Sequence, residues 1–423
     1  MSDGVALVMR RAGFGPTATE LAAARQAGLE ATVASLTAPV GEDQGAAQTP
    51  GPNLGADPFT GLVNPSLDQA AIAAQAREMQ TLELTRWWMD RMTAANHQGI
   101  EKLVFFWHGH WATSIRKVIR PSLMQIQLRT LRASGHDVRD MAHRMVRDPA
   151  LIYWLDNQLN NRQSANENLA RELMELFLLG IGKYSEEDVK EAGRALTGWR
   201  IDYNAGTAYV APQSYDDGTK SILGRTAVFD ADKLVDYLLE RPECPRFIAT
   251  RLWYRYASSE TPIPDSTREA MAAQFPDPFK MLGVLLRDEA FLGTEGQQVK
   301  QPVEWLIGAA RQLGVRPGSW DEDTLRKVLL SLERLGQVPL APPSVGGWPA
   351  GGNWLTPGTA QVRLALANRL VSTVQIPSLD PESLADLLAV DTWSDRTYAG
   401  LRGVTDPNRL LILGLISPEY VVT

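Results

Sequence analysis

The sequence has almost no cysteine and no long apolar run, and both absences limit what the protein can be. Cys244 is the single cysteine among 423 residues, so an intrachain disulfide and a cysteine-based zinc cage are excluded. No apolar stretch approaches the ~20 residues of a membrane-spanning helix. Residues 1–11 lack the long apolar core of a signal peptide. The sequence as written fits a cytoplasmic protein, or an exported protein whose leader is omitted.

Basic residues are too few for the usual signature of nucleic-acid binding. The chain carries 42 Lys and Arg against 49 Asp and Glu, a net charge of −7, whereas nucleic-acid binding is marked by a basic excess or stripe. The sequence also has no Walker loop, dinucleotide fingerprint, G-x-S-x-G elbow or H-E-x-x-H motif. This disfavours an NTPase, a Rossmann oxidoreductase, an ordinary serine hydrolase and a zincin.

The apolar pattern predicts a mainly α protein. Apolar residues make up 44% of the chain and charged residues 22%, which is enough to build a sizeable core. We predict an N-terminal helical segment over 1–40, a Gly/Pro/Ala-rich loop over 41–66, and one large helical domain over 67–423 with its core motifs at 107–199. A small β-hairpin is expected near 200–230.

Helical spacing of apolar residues is clear between about 67 and 112. It indicates a set of buried positions on one side of the helices there: Met79, Leu82, Trp87, Met92 and Leu103.

His108 and His110 form an H-x-H pair between Trp107 and Trp111. In an extended or loop backbone the two imidazoles share a face and could reach one metal ion or substrate. On a regular helix they diverge by about 200°. Gly109 favours a helix end or turn, so we predict the first geometry. The alternative is two polar rings at a helix C-terminus, stabilised by its dipole.

A second signal is the predicted helix from 166 to 180, which is apolar on most of its surface. At ~100° per residue, Asn168, Arg171, Glu172 and Glu175 fall on one polar arc, and Glu167 stands in the first turn of the same predicted helix. A helix this apolar should be buried, and burying charge is costly without partners. We predict carboxylates that act as ligands or as general acid and base. An internal ion-pair network that joins helices is the alternative.

Ser185 and Asp188 have the spacing of a helix N-terminal capping box, so we predict a cap there. Arg194 either pairs with Glu187 and Glu191 on its own helix or grips an anionic group together with Arg171. The sequence leaves both open.

Arg11 belongs either to a surface turn or to a lid over the site. Trp348 stands in a Gly-Gly-Trp-Pro loop that suits a wall for a sugar ring or a planar ligand, or plugs the core beneath the loop. With Trp107, Trp111 and Trp199, these residues are the candidates for substrate contact.

Several of these segments together resemble the bacterial family catalogued as domain of unknown function 1800. The resemblance rests on seven runs in order: RRAGFG (10–15), FWHGHWATS (106–114), NEN (166–168), ARELMELF (170–177), SEEDV (185–189), RALTGW (194–199) and VGGWP (345–349). Trp111 stands where the family usually has Phe. The resemblance implies frequent export, and a gene often placed beside a family that resembles alkaline phosphatases and sulfatases. It implies no settled activity.

Three hypotheses follow. The first is a hydrolase or lyase that acts on a carbohydrate or other anionic, polyhydroxylated substrate, with His108 and His110 as metal ligands and Glu167, Arg171, Glu172, Glu175 and Arg194 as catalytic residues. If a divalent metal is bound, mixed His and carboxylate ligands fit Zn, Mn, Fe or Ca. The alternative is a non-catalytic binding or accessory protein for a phosphatase- or sulfatase-like partner. A third possibility makes the motifs purely architectural.

Overall fold

The computed structural model describes residues 4–376 and 378–423. Helices account for 59% of the chain, and the strands form two small antiparallel sheets. The predicted mainly α class with a small β excursion is therefore confirmed.

The helices up to residue 154 include the helix that carries the H-x-H pair. They are α1 (Val5–Ala12), α2 (Ala18–Ala27), α3 (Leu29–Thr37), α4 (Gln44–Ala47), α5 (Leu67–Ala94), α6 (Gln98–His110), α7 (Ile115–Val118), α8 (Pro121–Ser134), α9 (Val138–Met145) and α10 (Pro149–Trp154).

The later helices begin with α11, which continues without a break into a π-helical segment, Leu173–Leu178. They are α11 (Asn168–Glu172), α12 (Glu186–Ala195), α13 (Ala231–Leu239), α14 (Glu243–Tyr256), α15 (Asp265–Ala272), α16 (Pro278–Leu285), α17 (Glu289–Leu292), α18 (Pro302–Gln312), α19 (Glu322–Arg334), α20 (Pro357–Val371), α21 (Pro381–Leu388), α22 (Asp395–Leu401), α23 (Pro407–Leu415) and α24 (Pro418–Val421).

The β excursion lies between α12 and α13. Strand β1 (Trp199–Asp202) pairs antiparallel with β2 (Thr207–Val210), and β3 (Lys220–Ile222) pairs antiparallel with β4 (Arg225–Ala227). The predicted hairpin near 200–230 is thus two successive hairpins.

Side-chain caps fix where helices begin. Ser66 and Gln69 form a capping box at the start of α5. Ser185 and Asp188 form another at α12, where Ser185 Oγ accepts from the Asp188 amide at 3.2 Å. The predicted cap at Ser185 is therefore confirmed, and it accounts for the acidic residues of this turn without any catalytic role.

One large apolar core joins the helices, and six fully buried tryptophans contribute to it: Trp88, Trp107, Trp111, Trp253, Trp305 and Trp354. Helices α1 and α3 pack against α6, and α3 also packs against α16. The division into 1–40, 41–66 and 67–423 stays a prediction.

The predicted buried positions between 67 and 112 divide along α5 and α6. Leu82, Met92 and Leu103 are buried, and Trp87 is partly buried. Met79 is 41% exposed, so its predicted burial is wrong. The first half of the 28-residue α5 is largely exposed, and the spacing of apolar residues does not reveal where a long helix leaves the core. Across the described part of the chain, no helix is long and apolar enough to cross a membrane.

Candidate functional site

Helix α6 carries the H-x-H pair and stays helical through His110. The turn that we expected at Gly109 is absent. The two side chains therefore point about 200° apart around the helix axis, and the structure does not bring them to one ligand. The loop over 345–349 packs on Gly109, because a Cβ at Gly347, where φ is +82°, would lie 2.4 Å from the Gly109 carbonyl oxygen. This explains the glycine at 347, whereas a Cβ at Gly109 would make only ordinary contacts with Trp348 at 3.7 and 3.8 Å.

His108 is fully buried among aromatic rings. Its ring lies 5.1 Å from Trp88 and 5.4 Å from Trp348, centroid to centroid. Burial lowers its pKa to about 3, so the ring is neutral at pH 7. Neither ring nitrogen has a hydrogen-bond partner among the described residues.

His110 faces a different environment. Its Nε2 lies 2.9 Å from the carbonyl oxygen of Phe177. Because a carbonyl only accepts, Nε2 carries the proton and Nδ1 keeps its lone pair. Burial and the charge of Arg251 lower the pKa of His110 to about 3, although the Phe177 hydrogen bond opposes this. Nδ1 is buried and has no partner within residues 4–376 and 378–423.

The π-helical segment changes the surface predicted for residues 166–180. Leu173, Met174 and Phe177 are buried, as expected. The acidic side chains are only partly buried, so the predicted burial of the polar arc is wrong. A π turn advances the residues by a different angle from an α turn, and the 100° projection therefore misplaces Glu175.

Glu175 accepts a hydrogen bond from the Tyr184 hydroxyl. Partial burial and the nearby charge of Glu175 raise the pKa of Glu172, although Arg171 acts against the shift. A carboxyl group with a raised pKa is suited to act as a general acid.

Arg171 and Glu167 belong to a surface ion-pair network. Arg171 lies 3.2 Å from Glu167 and binds both oxygens of Glu186, at 2.9 and 2.7 Å. These pairs join α11 to α12 but lie at the surface, so they are not the internal network of the ion-pair alternative, and neither residue lines the cavity described below.

Arg194 is held by local pairs. It binds both Glu191 oxygens at 2.9 Å and Asp216 Oδ2 at 2.9 Å. Its guanidinium is therefore committed within the protein, and Glu191 is one of the two partners that the sequence suggested.

A cavity of about 610 Å³ opens beside His110, between the π-helical segment, α14 and α15. We call it the His110–Arg251 cavity. Its charged and aromatic lining comprises His110, Glu175, Lys183, Glu243, Arg246, Phe247, Arg251 and Arg268. Four cationic side chains face two carboxylates there, so the cavity is cationic. Its volume is typical of small-molecule sites.

Arg251 was not predicted from the sequence. It lies on α14, mostly buried, and burial lowers its pKa. Its Nε has no hydrogen bond, and no carboxylate of the described residues forms an ion pair with it. Arg251 and Arg255 are four residues apart on α14, which also carries Glu243 and Arg246, and that spacing places the two arginines on one face of the helix.

The predicted substrate-binding tryptophans are mostly core residues. Trp107 donates to the Gly135 carbonyl at 3.0 Å, Trp111 packs 4.5 Å from Phe177, and Trp199 is 7% exposed at the start of β1. Trp348 stacks 6.0 Å from Phe105. Trp348 also lines a void of about 40 Å³ that shares His110, Arg251 and Gly346 with the larger cavity.

Arg11 is neither at a surface turn nor on a lid. It is 3% exposed, and its guanidinium donates to the main-chain oxygens of Tyr256, Ala257, Thr294 and Thr423. Burial and the adjacent Arg10 lower its pKa to about 9. Its position is that of a brace between distant segments.

Of the candidate residues, His110 and Glu175 line the His110–Arg251 cavity, and Trp348 lines the void beside it. Over the described ranges, no group of three or more His, Cys, Asp or Glu side chains is arranged to hold a metal ion.

The fold and this site define a mainly α-helical protein with a cationic, histidine-lined cavity. The chain belongs to the family described as protein of unknown function, DUF1800, whose model matches residues 7–422. Neither a curated protein nor a solved structure matches it significantly.

Proposed function

We propose that the protein is a hydrolase or lyase that acts on an anionic, polyhydroxylated small molecule, such as an acidic or phosphorylated sugar, in the His110–Arg251 cavity. One observation carries this proposal. His110 Nδ1 is a buried acceptor without a hydrogen-bond partner, and Arg251 is a mostly buried cation that contacts the Tyr254 ring at 5.7 Å but has no carboxylate partner among the described residues. Both residues line the cavity.

Arg251 supplies the argument for an anion. A buried guanidinium without a carboxylate is costly, and burial indeed lowers its pKa. A ligand carboxylate or phosphate would bind it in a bidentate manner and offset that cost. Lys183, Arg246 and Arg268 on the same cavity add positive charge, although Arg246 and Arg268 are paired with Glu269.

His110 and the glutamates supply the argument for proton transfer. A neutral imidazole with its Nδ1 lone pair free accepts a hydrogen bond from a ligand hydroxyl or a water and orients that group, although with a pKa of about 3 it is a weak base. Glu175 lies on the cavity wall and is the carboxyl group placed to exchange a proton with a ligand, whereas Glu172, whose pKa is raised, does not line the cavity. Hydrolysis and elimination both need such an acceptor and donor pair.

The binding half of the proposal is tested by thermal shift with glucose, glucuronate and glucose 6-phosphate at about 10 mM. We expect the two charged sugars to raise the melting temperature by about 2–4 °C and glucose to have a smaller effect. Arg251→Met should abolish the response to charge. Arg144→Met is the matched control, because Arg144 pairs with Asp140 on the exposed side of α9. An undiminished response in Arg251→Met would contradict the proposal.

The catalytic half is tested with 4-nitrophenyl glycosides, glucuronides, phosphates and sulfates. His110→Gln keeps an N–H donor for the Phe177 carbonyl but removes the imidazole ring with its Nδ1 acceptor. It should lower turnover by about 10²–10⁴ with an unchanged fold, whereas His143→Gln should not, since His143 pairs with Asp232 and Asp236 elsewhere. Binding without turnover of any compound would favour the alternative, a non-catalytic binding or accessory protein for a phosphatase- or sulfatase-like partner.

A further inference from the structure

A second cavity, of about 550 Å³, lies between the β1–β2 hairpin, the start of α8 and residues 57–60. We call it the hairpin cavity. Its lining mixes aromatic, acidic and cationic side chains, among them Asp57, Phe59, Arg120, Asp202, Tyr203 and Tyr209.

The hairpin wall of this cavity is rigid. Asp202 Oδ1 accepts from the amides of Asn204 and Ala205, at 2.9 and 3.0 Å, and closes the turn. Gly206, at φ +66°, sits so close to α8 that a Cβ there would lie 2.4 Å from Ile126 Cδ1. The turn therefore packs directly against α8, and this contact positions Tyr203.

The opposite wall is equally constrained. Arg77 binds Asp57 at 2.6 to 3.2 Å, and its guanidinium carbon lies 4.0 Å from the Phe59 ring centroid. Arg120 stacks over Tyr203, with its guanidinium carbon 4.1 Å from the ring centroid. A cavity with both walls fixed loses little entropy when a ligand binds.

The groups that face the cavity are those that recognise sugars. Tyr203 is 38% exposed and Tyr209 53%, which is high for large aromatic residues. Their hydroxyls, the Thr60 hydroxyl and the Asn204 side-chain amide make no hydrogen bond to the described protein residues. Aromatic faces pack against the C–H faces of pyranose rings, and amides and hydroxyls bind the ring hydroxyls.

The charge balance selects the kind of ligand. Asp57 pairs with Arg77 and lies 3.7 Å from Arg120 Nε, and Asp202 adds a second carboxylate to the lining, so the hairpin cavity is not cationic. A polyanion such as nucleic acid is disfavoured, because it needs a basic surface. We infer that the hairpin cavity binds a neutral oligosaccharide, stacked on Tyr203 and Tyr209. This site is separate from the His110–Arg251 cavity and does not depend on the reaction proposed there.

The test is isothermal titration of the whole protein with cellohexaose, maltohexaose, xylohexaose and chitohexaose, each to about 5 mM. At least one should bind. Tyr203→Ala and Tyr209→Ala should each weaken that binding by about tenfold, because each removes a stacked ring. Tyr209 lies on the exposed face of β2, so its replacement should leave the melting temperature unchanged.

Two controls separate this site from the rest of the molecule. Tyr398→Ala removes a tyrosine of similar exposure, 39%, from α22 and should leave binding unchanged. Arg251→Met should also leave it unchanged, so failure of the proposed reaction does not affect the result. The inference is overturned if none of the four oligosaccharides binds, or if Tyr398→Ala weakens binding as much as Tyr203→Ala does.

Discussion

Asp148 shows how one buried carboxyl group makes stability depend on pH. Its Oδ1 accepts from the Leu151 amide and from Gln127 Nε2, both at 2.8 Å. Burial raises its pKa to about 7, although these hydrogen bonds oppose the shift. Because the folded pKa lies above the unfolded one, the folded state holds the extra proton between about pH 4 and 7. Stability from this group therefore falls as the pH rises through that window.

Asp148→Asn keeps the acceptor oxygen and removes the ionisation. We expect its free energy of unfolding to match that of the wild type near pH 4 and to exceed it by about 1–4 kcal/mol at pH 8. Urea unfolding at pH 4, 6 and 8 measures this. Asp321→Asn is the control, since hydrogen bonds from Thr324 lower the pKa of that exposed cap and its replacement should bring no gain at pH 8. A constant difference across the three pH values would show that Asp148 does not titrate in this way.

His110 and Arg251 show which residues of the cavity the sequence can indicate and which it cannot. The H-x-H motif drew attention to His110, which lines a cavity. The motif could not show that α6 continues through both histidines, because a glycine is tolerated inside a helix at a cost of only about 1 kcal/mol. Arg251 comes from a segment without any motif, and only its tertiary neighbours distinguish it from a surface arginine.

At the scale of elements, the sequence predicts local features such as a helix cap, but it does not predict an irregular helical segment. The cap at Ser185 depends on residues three apart, so the sequence contains all of it. The π-helical segment over Leu173–Leu178 depends on tertiary packing, and Gly180 at φ +94° ends it. The arc drawn from α-helical geometry therefore grouped Glu172 with Glu175, whereas only Glu175 lines the cavity.

Glu304 joins three helices through buried charge. It lies on α18, 2.6 Å from Arg255 on α14, and also accepts from Lys102 on α6. Burial acts to raise its pKa, but Arg255 and Lys102 outweigh burial and hold the pKa at about 2. Glu304→Gln leaves two buried cations without their anion, so we expect a loss of about 3–5 kcal/mol in unfolding free energy.

Urea unfolding at pH 7 checks the Glu304 prediction. Glu333→Gln is the matched control, because it breaks an exposed pair with Arg116 at 2.8 Å and should cost less than about 1 kcal/mol. Similar losses in the two variants would mean that the buried cluster contributes no more than a surface pair.

At the scale of the whole molecule, the fold class and the family could be predicted, but the arrangement of the helices could not. Periodicity reports which face of a helix is apolar. It does not report which helix covers that face. The His110–Arg251 cavity combines α6, the π-helical segment, α14 and α15, so its composition depends on contacts between segments far apart in the chain.

Arg11 is the clearest case of such a long-range contact. On α1, it binds the main-chain oxygens of Tyr256 and Ala257 after α14, and of Thr423 after α24, which lies 412 residues away in sequence. Arg11→Met would leave the buried carbonyls of Tyr256 and Ala257 without their donor, and each such loss costs about 1–3 kcal/mol. The oxygens of Thr294 and Thr423 keep the amides of Gln297 and Gln298 as donors. We expect a total loss of at least about 2 kcal/mol, seen as a lower urea midpoint with an unchanged slope.

Arg287→Met controls for the loss of an arginine that also joins distant segments. Arg287 binds Glu30 at 2.7 Å on the surface and should contribute less than about 1 kcal/mol. A lower slope in Arg11→Met would mean that α1 or the C-terminal residues detach before the rest unfolds, because the slope follows the surface exposed in the transition. An unfolding midpoint equal to that of Arg287→Met would contradict the role of Arg11 as a brace, since a buried fork with four acceptors would then stabilise no more than one exposed ion pair.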